Sequence, residues 1–190
     1  MVFASPLPDV EIPDVPLTEY VLAKAGALGD KPALIDGPSG RTITYAALAA
    51  GVRSLAGGLV ARGFSTGSTL ALMSPNIPEY AVIFHGVAMT GGTITTINPT
   101  YTEAEVHKQL LDSHASILVT IPMFLEVATK AAAGTEVTDV FVLGEAEGAR
   151  PVTELFGAPL AEQVPVQGDD VVVLPYSSGT TGVNKGVMLS

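Results

Sequence analysis

Apolar positions in this chain fall into two kinds of block. Some are short continuous runs, and others are longer stretches with apolar residues every third and fourth position. The runs Thr69–Ser74, Thr93–Ile97, Ser116–Thr120 and Asp139–Leu143 predict strands. The first is apolar at nearly every position, as expected of a strand buried on both faces. The helically spaced blocks predict helices over Thr18–Leu28, Tyr45–Arg62, Ile77–Met89, Thr102–Ser113 and Pro122–Ala133. Thr18 and Thr44 are placed to cap the first two. Thr102, followed by Glu105, has the spacing of a capping box, and Gly63 suits a C-cap. Gly51, Gly57 and Gly58 interrupt the long second helix. Glycine costs helix stability, so these three suggest close packing against a sheet. Near the start, Ala33–Asp36 and Arg41–Thr44 flank the turn Gly37-Pro38-Ser39-Gly40 and predict a hairpin.

Strand and helix alternating at this spacing predict an α/β fold, a mainly parallel sheet flanked by helices on both faces. Residues 1–16, rich in Pro and Asp, read as an extended lead-in, and 17–143 as an α/β subdomain. Residues 144–170, rich in Gly, Pro and Glu, read as a connecting loop with little regular structure. Residues 171–190 read as strand, loop and strand, the start of a further part.

Composition narrows the function. The 190 residues carry 9 Lys and Arg against 19 Asp and Glu, a formal net charge of −10. No basic cluster exists for nucleic acid or for an anionic membrane surface. Ile77–Thr90 is the best apolar stretch, but it is too short to span a bilayer and contains Glu79 and His85. Cysteine is absent, which removes disulfides, thiolate metal sites and a thiol nucleophile, and fits a cytoplasmic protein. The N-terminus lacks the basic start and apolar core of a signal peptide. His85, His107 and His114 are the only histidines and lack carboxylate partners at ligand spacing, so packing or surface roles are expected and no metal site is assigned. Glu103 and Glu105 suit a helix first turn. Asp169-Asp170 suits a turn, and Glu145 to Glu147 a solvated surface.

The chemistry concentrates in Tyr176-Ser177-Ser178-Gly179-Thr180-Thr181-Gly182-Val183-Asn184-Lys185-Gly186. Glycines let backbone N–H groups converge on an anion. Ser and Thr hydroxyls donate to phosphate oxygens, and Lys185 adds a point charge. The arrangement is not a Walker A loop. Asn184 precedes Lys185, and a strand-like Gly186–Leu189 follows where a helix would be required. The loop therefore joins two strands. On residue types alone, a polar turn and a phosphate loop both remain open.

The run Ser177-Ser178-Gly179-Thr180-Thr181-Gly182, followed two residues later by Lys185-Gly186, resembles the signature loop of the adenylate-forming superfamily of acyl-CoA synthetases, luciferases and adenylation domains. Leu174-Pro175-Tyr176 and Gly186-Val187-Met188-Leu189 make it most like 4-coumarate–CoA ligases and their bacterial relatives. Pro32–Ile35, Thr44-Tyr45, Met73–Asn76 and Asn98–Thr102 occur in the order that family shows. One departure is Asn184, where the family usually has Pro, a change expected to loosen the loop slightly.

The resemblance implies that the chain is the first subdomain of the large N-terminal domain of such an enzyme. It implies activation of a carboxylic acid, phenylpropanoid or fatty, by ATP and Mg2+ to an acyl-adenylate. Thioester formation with CoA follows. Ser177, Ser178, Gly179, Thr180, Thr181, Gly182 and Lys185 are the implied contacts to the ATP phosphates. The catalytic residues, the acyl pocket and the metal ligand are implied to lie in a C-terminal portion absent from this chain, so the fragment alone is expected to be inactive. A nucleotide-binding or regulatory module without turnover, and a structural α/β domain with a polar loop, are the competing readings.

Overall fold

The computed structural model describes residues 6–8, 10–178 and 184–190. Its centre is a five-stranded, all-parallel sheet in the order β4-β3-β5-β6-β7. These strands are β3 (Thr69–Met73), β4 (Thr93–Ile97), β5 (Ala115–Thr120), β6 (Asp139–Val142) and the short β7 (Arg150–Pro151). Every residue of β3 is buried, as its unbroken apolar run requires of a strand covered on both faces.

Alternation along β3 divides the core in two. Leu70 and Leu72 point to one face, where they meet Leu55, Leu59, Ile83 and Val87. Those residues belong to α3 (Tyr45–Ala61) and α4 (Pro78–Met89). Ala71 and Met73 point to the other face and meet Val106, Leu110, Ala128 and Ala131, from α5 (Glu103–Ser113) and α6 (Leu125–Ala132). Helices on both faces of a parallel sheet are the architecture expected from the alternating pattern.

Local signals explain most boundaries. Thr44 Oγ1 accepts from Ala47 N at 3.1 Å and starts α3. Thr102 Oγ1 accepts from Glu105 N, while the Glu105 carboxylate accepts from Thr102 N at 2.8 Å, completing the box ahead of α5. The antiparallel hairpin is β1 (Pro32–Ile35) with β2 (Thr42–Thr44). The block from Pro122 divides into a 3-10 turn, Pro122–Phe124, followed by α6.

The first helix differs from expectation. It is two short helices, α1 (Leu17–Leu22) and α2 (Ala25–Leu28), and Pro16, not Thr18, is the N-cap. Thr18 is buried, and its hydroxyl lies 3.1 Å from His85 Nδ1 and 3.3 Å from the His85 carbonyl. Tertiary partners on α4 outcompete the capping role.

The α3 glycines also differ. A Cβ on Gly57 would lie 1.8 Å from the Ala158 carbonyl oxygen, and one on Gly58 would lie 1.9 Å from that of Leu155. The helix packs there against the backbone of the connecting segment and not against the sheet. Gly157 N donates to Ser54 O and Leu160 N to Arg53 O, each at 2.9 Å. Segment 144–170 therefore holds to the body. It contains β7 and a 3-10 turn, Val152–Leu155, whose Leu155 is fully buried.

Candidate functional site

Beyond that segment the chain returns to the sheet beside β4. Ile94 N donates to Val172 O at 3.0 Å, and Leu174 N donates to Ile94 O at 2.9 Å. Val173 bridges Ile94 in parallel and Leu189 in antiparallel fashion. Residues 171–175 thus extend the sheet past β4 by main-chain bonds, and Leu189 returns alongside them. Side chains add to this attachment. Thr93 Oγ1 donates to Val171 O and Thr95 Oγ1 to Leu174 O, both at 2.8 Å.

From this base rises a two-stranded antiparallel ribbon of β8 (Tyr176–Ser178) and β9 (Asn184–Gly186). Tyr176 pairs with Gly186, Ser177 with Lys185, and Ser178 with Asn184. Directly opposed residues share a face, and successive residues alternate faces. Ser177 and Lys185 therefore share one face, and both are exposed. The other face turns towards α5. There the Tyr176 hydroxyl donates to Asp112 Oδ2 at 2.5 Å, and Asn184 Nδ2 donates to the Tyr101 hydroxyl at 3.0 Å. Burial, with the Asp112 carboxylate second, pushes the Tyr176 hydroxyl well above its ordinary ionisation range. It therefore remains a proton donor throughout the physiological range.

Of the residues singled out for phosphate, the ribbon brings Ser177 and Lys185 together as a cross-strand pair, and Ser178 lies at its tip in register with Asn184. Gly179, Thr180, Thr181 and Gly182 lie outside the described residues. The elements on either side of those residues, β8 and β9, are both strands. A Cβ on Gly186 would meet the Tyr176 ring at 3.1 Å and the Leu174 side chain at 3.2 Å, so the glycine leaves room for the aromatic ring. Asn184, at the position where Pro was expected, donates a side-chain hydrogen bond that Pro lacks.

Two partners of the ribbon were not legible as such: Tyr101 and Asp112. The contacts of Tyr176 and Asn184 span 64 and 83 residues of sequence. No local pattern announces such pairs.

The histidines have ordinary partners. His85 meets Thr18, and burial holds its ring below the usual imidazole range. His107 Nδ1 lies 2.8 Å from Ala131 O, and His114 caps α5 in the left-handed conformation beside Glu136. Asp170 accepts from Gln167 N at 2.7 Å and closes a turn. Among the described residues no group of three or more His, Asp or Glu side chains is placed to hold a metal ion, and no helix is long and apolar enough to cross a membrane. A cleft of about 680 Å³ is lined by lead-in residues such as Ile12 and Val15, by Val166–Gly168, and by Val171 and Val172 of the strand below the ribbon.

Residues 22–190 match the family described as AMP-binding enzyme. The chain is 41% identical to 4-coumarate--CoA ligase 3 of Oryza sativa subsp. japonica over 192 residues, covering 100% of this chain and 35% of the relative. It is 38% identical to 4-coumarate--CoA ligase 1 of Petroselinum crispum, covering 100% and 36%. The chain thus spans about a third of the length of the curated relatives it matches. Among solved structures, a long-chain-fatty-acid-CoA ligase from Archaeoglobus fulgidus superposes with a TM-score of 0.87 at 28% identity, covering 99% of this chain and 39% of that one. An anthranilate CoA ligase in complex with anthranoyl-AMP superposes at 0.84, with 22% identity and coverage of 93% and 35%, a likeness of fold.

Proposed function

Because the chain belongs to the AMP-binding enzyme family, we propose that it forms the N-terminal part of a longer carboxylate–CoA ligase and supplies the grip on the ATP phosphates. Such an enzyme joins an acid to the α-phosphate of ATP, releasing pyrophosphate, and then transfers the acyl group to the CoA thiol with release of AMP. Both steps lie within the cytoplasm in this reading. Residues 17–143 form the first subdomain, 144–170 the connection, and 171–190 the start of the next part.

One observation carries the proposal. The β8–β9 ribbon places Ser177 and Lys185 on its exposed face, flanking in sequence the Gly/Thr-rich stretch 179–183, while its other face is tied to the body. A hydroxyl and an ammonium so placed donate to phosphate oxygens and stabilise charge on departing pyrophosphate. Ser178, Gly179, Thr180, Thr181 and Gly182 complete the cradle in this reading. Mg2+ would arrive with the triphosphate, whose oxygens supply ligands of the type it prefers.

The names of the relatives at 38–41% identity favour a phenylpropanoid acid as substrate. The fatty-acid ligase at 28% identity makes a fatty acid the second choice.

The test is carboxylate-dependent ATP–pyrophosphate exchange by the full-length protein, with 4-coumarate and palmitate as probe acids. Lys185→Ala should cost about 2 kcal/mol of ATP binding, roughly thirtyfold in affinity. The isolated 190-residue chain should show no exchange. A folded full-length protein that binds ATP but gives no exchange with any acid would support a nucleotide-binding module in place of a ligase.

A further inference from the structure

Three side-chain links run from α5 and the residue ahead of its cap, two of them to the ribbon and one to the strand that leads into it. At the N-terminal end of that helix, the Tyr101 hydroxyl accepts from Asn184 of β9. In its last turn, Asp112 accepts from Tyr176 of β8. Between them Gln109, nearly fully buried, donates to Thr95 Oγ1 at 2.9 Å and to Thr96 O at 3.1 Å. Thr95 Oγ1 passes the chain on to Leu174 O, two residues before the ribbon begins. Serial hydrogen bonds polarise one another, so such a chain is stiffer than its separate members.

Each strand of the ribbon is thus held by its own tether. The two tethers attach near opposite ends of a helix about 16 Å long and converge on one face of the ribbon. A single attachment would leave the ribbon free to swing about it, whereas two separated attachments fix its direction. The helix itself is fastened by the Thr102–Glu105 capping box at one end and by Val106 and Leu110 in the core. Its position is therefore set independently of the ribbon.

We infer that Asp112, Tyr101 and Tyr176 are positioning residues for the ATP phosphates: they hold the outward face of the ribbon, with Ser177 and Lys185, at the angle from which it meets the triphosphate. None of the three touches the nucleotide in this account. They act by removing conformations of the ribbon in which Lys185 points elsewhere, and so lower the ordering cost of binding. This inference rests on the phosphate-loop reading of the preceding subsection.

The experiment is isothermal titration calorimetry of ATP and of AMP, each with magnesium, on the full-length protein. AMP lacks the β- and γ-phosphates, so it does not depend on the aim of the ribbon. Asp112→Ala and Tyr176→Phe should each weaken ATP binding about threefold to tenfold, the worth of one hydrogen bond, and leave AMP affinity unchanged. The double variant should be no weaker than the worse single variant, because both remove the same bond. Asp112→Asn, which keeps an acceptor for the hydroxyl, should recover most of the loss. Tyr101→Phe should show the same ATP-selective effect.

Lys185→Ala is the reference. If it weakens ATP binding while Asp112→Ala and Tyr176→Phe stay within twofold of wild type, the positioning inference falls and the phosphate-loop reading stands. Equal losses for ATP and AMP would show a general structural effect and also overturn the inference, as would losses that add in the double variant. If Lys185→Ala has no effect, both readings fall together.

Discussion

Gly186 lies directly across the β8–β9 ladder from Tyr176, and the tyrosine ring covers its bare Cα. A Cβ there would stand 3.1 Å from the ring and 3.3 Å from the hydroxyl oxygen. The ring must then shift by a few tenths of an ångström, at the expense of its bond to Asp112. Gly186→Ala should therefore weaken ATP binding about threefold, within the range of one damaged hydrogen bond. AMP binding should be unchanged. In Tyr176→Phe the same glycine substitution should have a smaller effect on ATP affinity, since no bond to Asp112 remains to be strained.

The three glycines of α3 separate by what faces them. Gly51 has the Val82 side chain 3.2 Å from the position of its missing Cβ, and that side chain is able to yield. Gly57 and Gly58 face backbone carbonyl oxygens, which are held by the hydrogen bonds of the connecting segment. Gly58→Ala should cost ~3 kcal/mol or prevent folding. Gly51→Ala should lie within about 1 kcal/mol of wild type, because the gain in helix propensity offsets the tight contact. Urea unfolding of the two variants measures the contrast, and equal costs would show that the connecting segment gives way.

Two histidines predict opposite pH slopes. Burial lowers His85 from its ordinary value of 6.5, so below about pH 6.5 the unfolded chain binds a proton that the folded chain resists. Stability is complete above 6.5 and declines as pH falls, by at most about 1.4 kcal/mol per pH unit. His114 is raised from 6.5, chiefly by its hydrogen bond to Glu136. Its contribution is present below 6.5 and is lost as pH rises through its folded-state value. Because His114 is exposed, its contribution should fade with added salt. Urea midpoints between pH 5 and 8 should fall on the acid side in wild type, and fall less in His85→Asn. An unchanged acid slope in that variant would assign the effect to other groups.

What was legible from sequence follows the range of the interactions. The Thr102–Glu105 box and the buried run of β3 depend on neighbours within a turn or along one strand, and both took the expected form. Thr18 satisfies the same local rule for a cap, yet its hydroxyl is drawn to His85, 67 residues away. The α3 glycines announced a close approach but not its partner, because nothing in a glycine encodes what it meets. For the ribbon, the Ser, Thr, Gly and Lys residues proposed to meet phosphate are concentrated in one stretch of sequence. Its tethers could not be read from sequence, since Asp112 on a helix surface looks like any solvated carboxylate until the fold brings Tyr176 to it.

Thr95 offers the sharpest test of the link between α5 and the strand below the ribbon. Its side chain is fully buried and its hydroxyl is used twice, accepting from Gln109 Nε2 and donating to Leu174 O. Thr95→Val keeps the shape but removes both roles. Gln109 retains only Thr96 O as acceptor for its amide nitrogen, and the Leu174 carbonyl loses its side-chain donor. A buried polar group left short of a partner costs about 1–3 kcal/mol, so Thr95→Val should lower unfolding stability by about 2 kcal/mol. Thr95→Ser keeps the hydroxyl and removes a methyl, so it should cost about 1 kcal/mol for the lost packing. Urea unfolding of the pair decides the matter. If valine is tolerated better than serine, packing outweighs hydrogen bonding at this site, and the chain from Gln109 through Thr95 to Leu174 does not stiffen the ribbon's base.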